Sequence, residues 1–120
     1  MEQATKAALE SCGMDVDATL ARFGGNEALL LKYLRRFPGD PNYADLESAL
    51  LRGDSEALRA ACHTLKGVSG TLGLTPLFWA TSDMMAALRA NDDASIPAHF
   101  SAVKAAHARA LAVLAQLGCA

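Results

Sequence analysis

The residues best suited to chemistry in this chain form a short run at residues 63–67, with the sequence HTLKG, inside what reads as one long helix. Residues three, four and seven positions apart share one face of a helix, so His63 and Lys66 lie on one strip. The same strip carries two positions without side chains, Gly67 and Gly70. Each mid-helix glycine costs about 0.5 to 1 kcal/mol relative to alanine, which predicts a surface kept bare for another macromolecule.

Arg59 lies one helical turn before His63 and adds a second cation to this strip. A solvent-facing neutral imidazole is a nucleophile near physiological pH, and flanking cations offset the negative charge of an incoming phosphoryl group. Phosphoryl transfer needs mainly in-line positioning and charge stabilisation, and a partner could bring its own metal ion. We therefore predict that His63 accepts a phosphoryl group with support from Lys66 and Arg59, and that the chain itself uses no metal or other cofactor.

A central helix must position this strip, and we expect it to run from an N-cap at Asp54 to Gly73. Its apolar stripe lies about 100° away from His63, which should therefore face solvent. Asn26 and Thr75 are the expected caps of two other helices. Helices are also predicted at residues 2–12, 17–23, 26–37 and 43–52, and from Thr75 to the turn at Asn91. A last helix is predicted to follow, capped by Asp93 or Ser95. These elements predict an all-α fold, an antiparallel four-helix bundle with a short N-terminal helical appendage.

Composition agrees with this fold class and limits the functions to consider. Alanine and leucine dominate, whereas only four valines and one isoleucine favour strands. A length of 120 residues indicates one domain over residues 1–120, and the net charge of -2 without a basic run argues against nucleic acid as a partner.

Residues 1–12 do not resemble a signal peptide, and no apolar stretch approaches the roughly 18 residues of a membrane span. We therefore expect no direct membrane contact. Cys12, Cys62 and Cys119 lack paired spacing, so we expect reduced thiols and a cytoplasmic location.

Residues 13–93 resemble the histidine phosphotransfer (HPt) domains of bacterial multistep phosphorelays. The resemblance rests on the order of several segments: Gly13-Met14-Asp15, Leu20-Ala21-Arg22-Phe23-Gly24-Gly25, Leu34-Arg35-Arg36-Phe37, Leu46 to Leu50, Gly53-Asp54, His63 to Gly67, Gly70, Leu72-Gly73 and Leu77. It implies that His63 carries the phosphoryl group on a ring nitrogen and that Lys66 is the accompanying cation. It also implies that Gly67 and Gly70 permit a receiver domain to dock.

The resemblance further implies a relay intermediate, usually monomeric and without kinase or phosphatase activity of its own. Its partners would be response-regulator receivers and a hybrid sensor histidine kinase. Three departures from the family pattern lie off the exposed strip: Met85 where many relatives have Glu, Cys62 where Ala is usual, and a helix break at residues 38–41.

Other functions remain open at this stage. The chain could be a helical interaction module that docks a receiver or a kinase without being phosphorylated, although such a module would need neither His63 nor Lys66. It could be the phosphorylatable domain of a chemotaxis-type kinase whose ATP-binding domain lies elsewhere. An enzyme that uses His63 as a general base would need a second catalytic group, and the sequence offers none that we can identify.

Five residues outside the strip carry weaker expectations. His107 lies on the apolar stripe of the last helix, so it should be partly buried and hydrogen-bonded. Leu29 and Leu31 lie off the main stripe of their helix and could form a docking patch or pack against the N-terminal appendage. Ideal helix geometry does not bury both Phe78 and Trp79, so one of them could border the site.

Overall fold

The computed structural model describes residues 1–117, and every regular element in that range is helical. The α-helices are α1 (Gln3–Ser11), α2 (Val16–Arg22), α3 (Glu27–Arg36), α4 (Asn42–Arg52), α5 (Ser55–Thr71), α6 (Thr75–Arg89) and α7 (Ile96–Gln116). Short 3-10 turns at Phe37–Gly39 and Asp93–Ser95 precede α4 and α7. The predicted all-α fold is confirmed, and the predicted break after α3 is a 3-10 turn that contains Pro38.

Helices α4 to α7 form the four-helix bundle. Each packs against the next in chain order, and the short connections between them make neighbours antiparallel. The Tyr43 ring of α4 stacks on the His107 ring of α7, with centroids 4.0 Å apart, so α7 also contacts α4 and closes the bundle. Helices α1 to α3 form the N-terminal appendage and add fully buried leucines, including Leu9, Leu30 and Leu34, to the same core. The predicted bundle with its appendage is therefore confirmed.

The two ends of α5 are set by residues that the sequence already singled out. The Asp54 side chain accepts a hydrogen bond from the backbone N–H of Ala57 at 3.0 Å and so caps the first turn. At the other end Gly73 has a φ of +70°, and an added Cβ would lie 2.1 Å from the Thr19 hydroxyl oxygen. Glycine is therefore required there both by backbone conformation and by the close approach of α2.

The start of α6 differs from the prediction. Thr75 is the first residue inside α6, and Leu74 occupies the capping position without a side-chain hydrogen bond. The Thr75 hydroxyl instead donates to the Gly73 carbonyl at 3.3 Å, within the turn that ends α5. The expected N-cap role of Thr75 is wrong because its hydroxyl already serves that preceding turn. The Asn26 cap of α3 is confirmed by its hydrogen bond from the backbone N–H of Leu29.

The buried side of α5 follows the predicted stripe, and its small residues contact α6. Cys62 is fully buried, its thiol donates to the Thr81 carbonyl at 3.5 Å, and burial raises the pKa of this thiol to about 11. Cys62 and Cys12 are both free thiols, while Cys119 lies outside the described residues. Met85 is also buried, so the departures at Cys62 and Met85 alter the core.

His107 is partly buried, as predicted, but it is held by aromatic rings. Its ring stacks on Tyr43 and meets Phe37 edge-on, with centroids 5.8 Å apart in the second contact. The expected hydrogen bond of its imidazole is absent within residues 1–117. Burial lowers the pKa of His107, and the nearby Asp40 carboxylate opposes that shift.

Candidate functional site

His63 lies on the exposed side of α5, one position after the fully buried Cys62. Successive helical residues are about 100° apart, so burial of the Cys62 side turns the imidazole toward solvent. Within the part of the chain that the structure describes, the imidazole makes no hydrogen bond and no ion pair. Its ring nitrogens are therefore accessible to an external reactant.

Lys66 and Gly67 lie one turn along α5 from His63. Lys66 is partly exposed, and its ammonium forms no ion pair with any carboxylate of residues 1–117. A Cβ added to Gly67 would meet no atom within 4 Å among the residues that the structure describes. The cation beside the histidine is thus uncommitted, and Gly67 is a bare position that nothing inside the molecule requires.

An open groove of about 830 Å³ runs between α3 and α5 on one side of His63, and we call it the α3 groove. Its walls are mainly apolar and aromatic. The Tyr33 ring lies 5.9 Å from the ring of Phe23, and the Arg36 guanidinium lies 5.7 Å from the Tyr33 ring centroid. Its lining includes Phe23, Leu29, Tyr33, Arg36, His63 and Gly67. A cation–π contact thus holds the positive charge of Arg36 at the edge of the α3 groove.

A second open groove of about 590 Å³ lies on the other side of His63, between α5 and α6, and we call it the α6 groove. It shares His63 and Gly67 with the α3 groove. Its lining includes Arg22, His63, Lys66, Gly70, Phe78 and Trp79. The exposed histidine therefore stands on a ridge between two depressions.

Arg22 is a residue of the site that the sequence analysis did not single out for a role. Its guanidinium donates to the carbonyl of Gly70 at 3.0 Å, and more weakly to the Thr71 carbonyl and the Thr19 hydroxyl. It therefore ties α2 to the C-terminal end of α5 and brings a cation into the α6 groove. Arg22 and Gly70 are 48 positions apart, so no local spacing signals this contact.

Arg59 was expected in the cationic rim of His63, and the structure directs its guanidinium elsewhere. It donates to the Leu88 carbonyl at 2.7 Å and to the Asn91 side-chain oxygen at 3.0 Å, at the end of α6. Arg59 lines neither the α3 groove nor the α6 groove. The predicted support of His63 by two cations of α5 is therefore wrong for Arg59. Lys66 lies beside His63, whereas Arg59 joins α5 to α6.

Gly70 was expected to keep the docking face bare, and the structure shows a packing reason for it. A Cβ at Gly70 would lie 2.9 Å from the Phe78 Cδ1 atom and 3.1 Å from its Cε1 atom. Real Cβ atoms do not approach ring carbons so closely, so the missing side chain makes room for Phe78. Gly70 also lines the α6 groove, but its absent side chain is explained by an internal neighbour.

The remaining candidates divide between the site and the scaffold. Leu29 lines the α3 groove, whereas Leu31 packs against the core near α1. Phe78 is half-buried and Trp79 is exposed, which agrees with the expectation that only one of them could be buried.

No group of His, Cys, Asp or Glu side chains in residues 1–117 has the arrangement of a metal site. Over the same residues, no helix combines the length and the apolar character needed to cross a membrane.

Together the fold and the site define a helical bundle that displays an unpartnered histidine at its surface. Residues 40–113 match the family model of the Hpt domain, a span of more than half of the chain. Comparisons with curated proteins and with solved structures found no match. The chain therefore belongs to the Hpt family, whose members carry phosphoryl groups in phosphorelay signalling, interact with response-regulator receivers and lack kinase activity.

Proposed function

We propose that His63 accepts a phosphoryl group from the aspartyl phosphate of one receiver domain and passes it to another. One observation carries this proposal: the His63 imidazole is exposed and unpartnered, on a ridge between two open grooves, in a chain that belongs to the Hpt family. The bare surface at Gly67 supports it, because a receiver must bring a recessed aspartate close to the helix backbone.

The transfer step follows from the chemistry of a neutral imidazole. A lone pair on one ring nitrogen of His63 attacks the phosphorus atom of the aspartyl phosphate. A P–N bond forms while the P–O bond to the aspartate carboxyl group breaks, and its electron pair leaves with the carboxylate oxygen. The other ring nitrogen keeps its proton. In the reverse direction, the carboxylate of a second receiver attacks the phosphohistidine and regenerates the imidazole.

Lys66 is the residue that stabilises charge in this step. Its ammonium is one turn from His63 and has no internal carboxylate partner, so it is available to the phosphoryl oxygens. The α3 groove supplies apolar contacts for the receiver through Leu29 and Tyr33. The proposal includes a monomer in the cytoplasm that has no kinase activity of its own and that receives phosphoryl groups from a hybrid sensor histidine kinase.

The test is phosphoryl transfer from receiver domains of the source organism, each carrying a radiolabelled aspartyl phosphate. We expect the chain to acquire label that is labile in acid and stable in alkali, as a phosphoramidate bond is. The variant His63→Gln should acquire none while it unfolds at the same denaturant concentration as the wild type, because an exposed side chain contributes little to stability. Label retained by His63→Gln would reject His63 as the acceptor.

The competing function is a module that binds a receiver or a kinase without being phosphorylated. That function predicts a receiver complex of unchanged affinity in His63→Gln and no label on the wild type. A wild-type chain that binds a phosphorylated receiver yet never acquires acid-labile phosphate would favour this alternative.

A further inference from the structure

The α6 groove contains an aromatic side chain that the transfer chemistry does not use. Trp79 is 60% exposed, compared with 42% for Tyr33, the other aromatic residue exposed in residues 1–117. Burying a tryptophan ring is strongly favourable, and tryptophan is enriched at protein–protein interfaces. Trp79 is also the chain's one tryptophan.

Internal packing supports the position of Trp79. The Phe78 ring occupies the space over Gly70, and the Trp79 ring meets Phe78 edge-on, with centroids 5.4 Å apart. The two rings therefore form an aromatic platform, Phe78 with Trp79, on the α6 side of His63. A side chain at Gly70 would displace this platform, which links the glycine to the shape of the α6 groove.

The charges of the α6 groove indicate what kind of surface fits it. Its charged lining residues besides His63 are Arg22 and Lys66, and no carboxylate of residues 1–117 lines it. Arg22 is fixed by its hydrogen bond to the Gly70 carbonyl, so its positive charge is preorganised. The groove thus complements a partner surface that carries acidic groups beside an apolar side chain.

We propose that Trp79 is a specificity-determining contact for the receiver, on the side of His63 opposite the α3 groove. This inference rests on the proposed function, because the occupant is the receiver that presents its aspartyl phosphate to His63. In the docked complex an apolar side chain of the receiver covers the Trp79 ring and acidic groups of the receiver face Arg22, while Lys66 faces the phosphoryl group. Receivers that lack this pairing bind weakly even when they reach the α3 groove.

The kinetic test compares Trp79→Ala with a matched surface truncation, Leu51→Ala. Leu51 is 83% exposed at the end of α4 and lines neither groove, so its loss removes a similar exposed apolar group away from the site. With a phosphorylated receiver as donor, Trp79→Ala should raise KM about 10-fold with a smaller change in kcat, as expected when about 1.4 kcal/mol of docking free energy is lost. Leu51→Ala should match the wild type.

A small phosphoryl donor separates this inference from the proposed function. Phosphoramidate needs no docking surface, so both variants should accept phosphate from it at the wild-type rate. Unchanged KM for the receiver in Trp79→Ala would overturn the role of Trp79 while leaving His63 as the acceptor. Loss of both reactions in Trp79→Ala would show damage to the site itself and would also overturn a docking role.

Fluorescence gives a direct second test, because all tryptophan emission of this chain comes from Trp79. Titration with the same receiver, chosen or mutated to lack tryptophan and activated with beryllofluoride as a phosphate mimic, should shift the emission maximum to shorter wavelength. A complex detected by calorimetry without any emission shift would leave Trp79 in water and overturn the inference. A receiver panel that neither binds nor labels the wild type would reject the proposed function, and this inference with it.

Discussion

Two regions of helix α5 near His63 use the same kinds of residue in different ways. In the region left open, Lys66 has no partner and Gly67 borders empty space among residues 1–117. In the region covered by α6, Arg59 is bound to the Leu88 carbonyl and Gly70 makes room for the Phe78 ring. A cation or a glycine near a reactive histidine therefore has no fixed role. What the residue meets in the folded chain decides whether it serves a partner or the core.

The largest effect that separates the two regions is expected from Gly67→Gln. The new side chain would project into open space one turn from His63 and collide with a docked receiver, while small molecules could still reach the imidazole. We expect transfer from a phosphorylated receiver to fall by about 100-fold, equivalent to about 2.7 kcal/mol, and phosphorylation by phosphoramidate to persist. Parallel assays with both donors measure this. Normal transfer from the receiver would remove Gly67 from the docking face.

Alanine substitutions should give opposite signs at the two glycines. Gly67→Ala adds helix propensity and meets no neighbour, so it should raise the free energy of unfolding by up to about 1 kcal/mol. Gly70→Ala gains the same propensity but forces its Cβ against Phe78, and overpacking of this kind costs about 1 to 3 kcal/mol. Urea unfolding of both variants beside the wild type tests the difference. Equal stabilisation would mean that Phe78 moves aside without cost.

The two cations should separate function from stability. Lys66→Ala should slow transfer several-fold at low salt without abolishing it, because the ammonium stabilises charge but forms no bond. Arg59→Ala should leave transfer near the wild-type rate and lower the free energy of unfolding by about 1 kcal/mol, since it removes the hydrogen bonds to Leu88 and Asn91. Transfer rates and urea midpoints measured on both variants provide the check. Equal slowing of transfer in the two variants would show that Arg59 supports the phosphoryl group, as the sequence predicts.

The smallest effect concerns His107. In contrast to the exposed His63, His107 is packed between aromatic rings. Burial lowers its pKa in the folded chain below the ordinary 6.5, so the unfolded chain binds more protons as the pH falls below about 7. The free energy of unfolding should therefore decrease between pH 7 and pH 5.5, and the decrease should be smaller in His107→Phe. Thermal unfolding of both proteins across this range tests the difference. Identical pH slopes would show that His107 does not contribute.

Local signals in the sequence identified most of the scaffold. The alternating apolar stripe of α5, the Asp54 cap and the glycine at its end are interactions between near neighbours, so they can be read without the fold. The same periodicity placed His63 about 100° away from the buried stripe and toward solvent. Two expected caps are wrong, because the hydroxyls of Thr75 and Ser95 donate to backbone carbonyls of the preceding turns. Ser95 does occupy the residue before α7, but its side chain makes no capping hydrogen bond there, and Asp93 lies in the 3-10 turn before it.

The sequence by itself determined the helices, the all-α bundle and the exposure of His63, because these depend on residues within a few positions of one another. Only the tertiary structure decided that Arg22 enters the site, that Arg59 leaves it, and that Gly70 accommodates Phe78. The contacts of Arg22 with Gly70 and of Arg59 with Leu88 join residues 48 and 29 positions apart. Helical spacing predicts which residues share a face, but the partner of each side chain is set by which helix packs there.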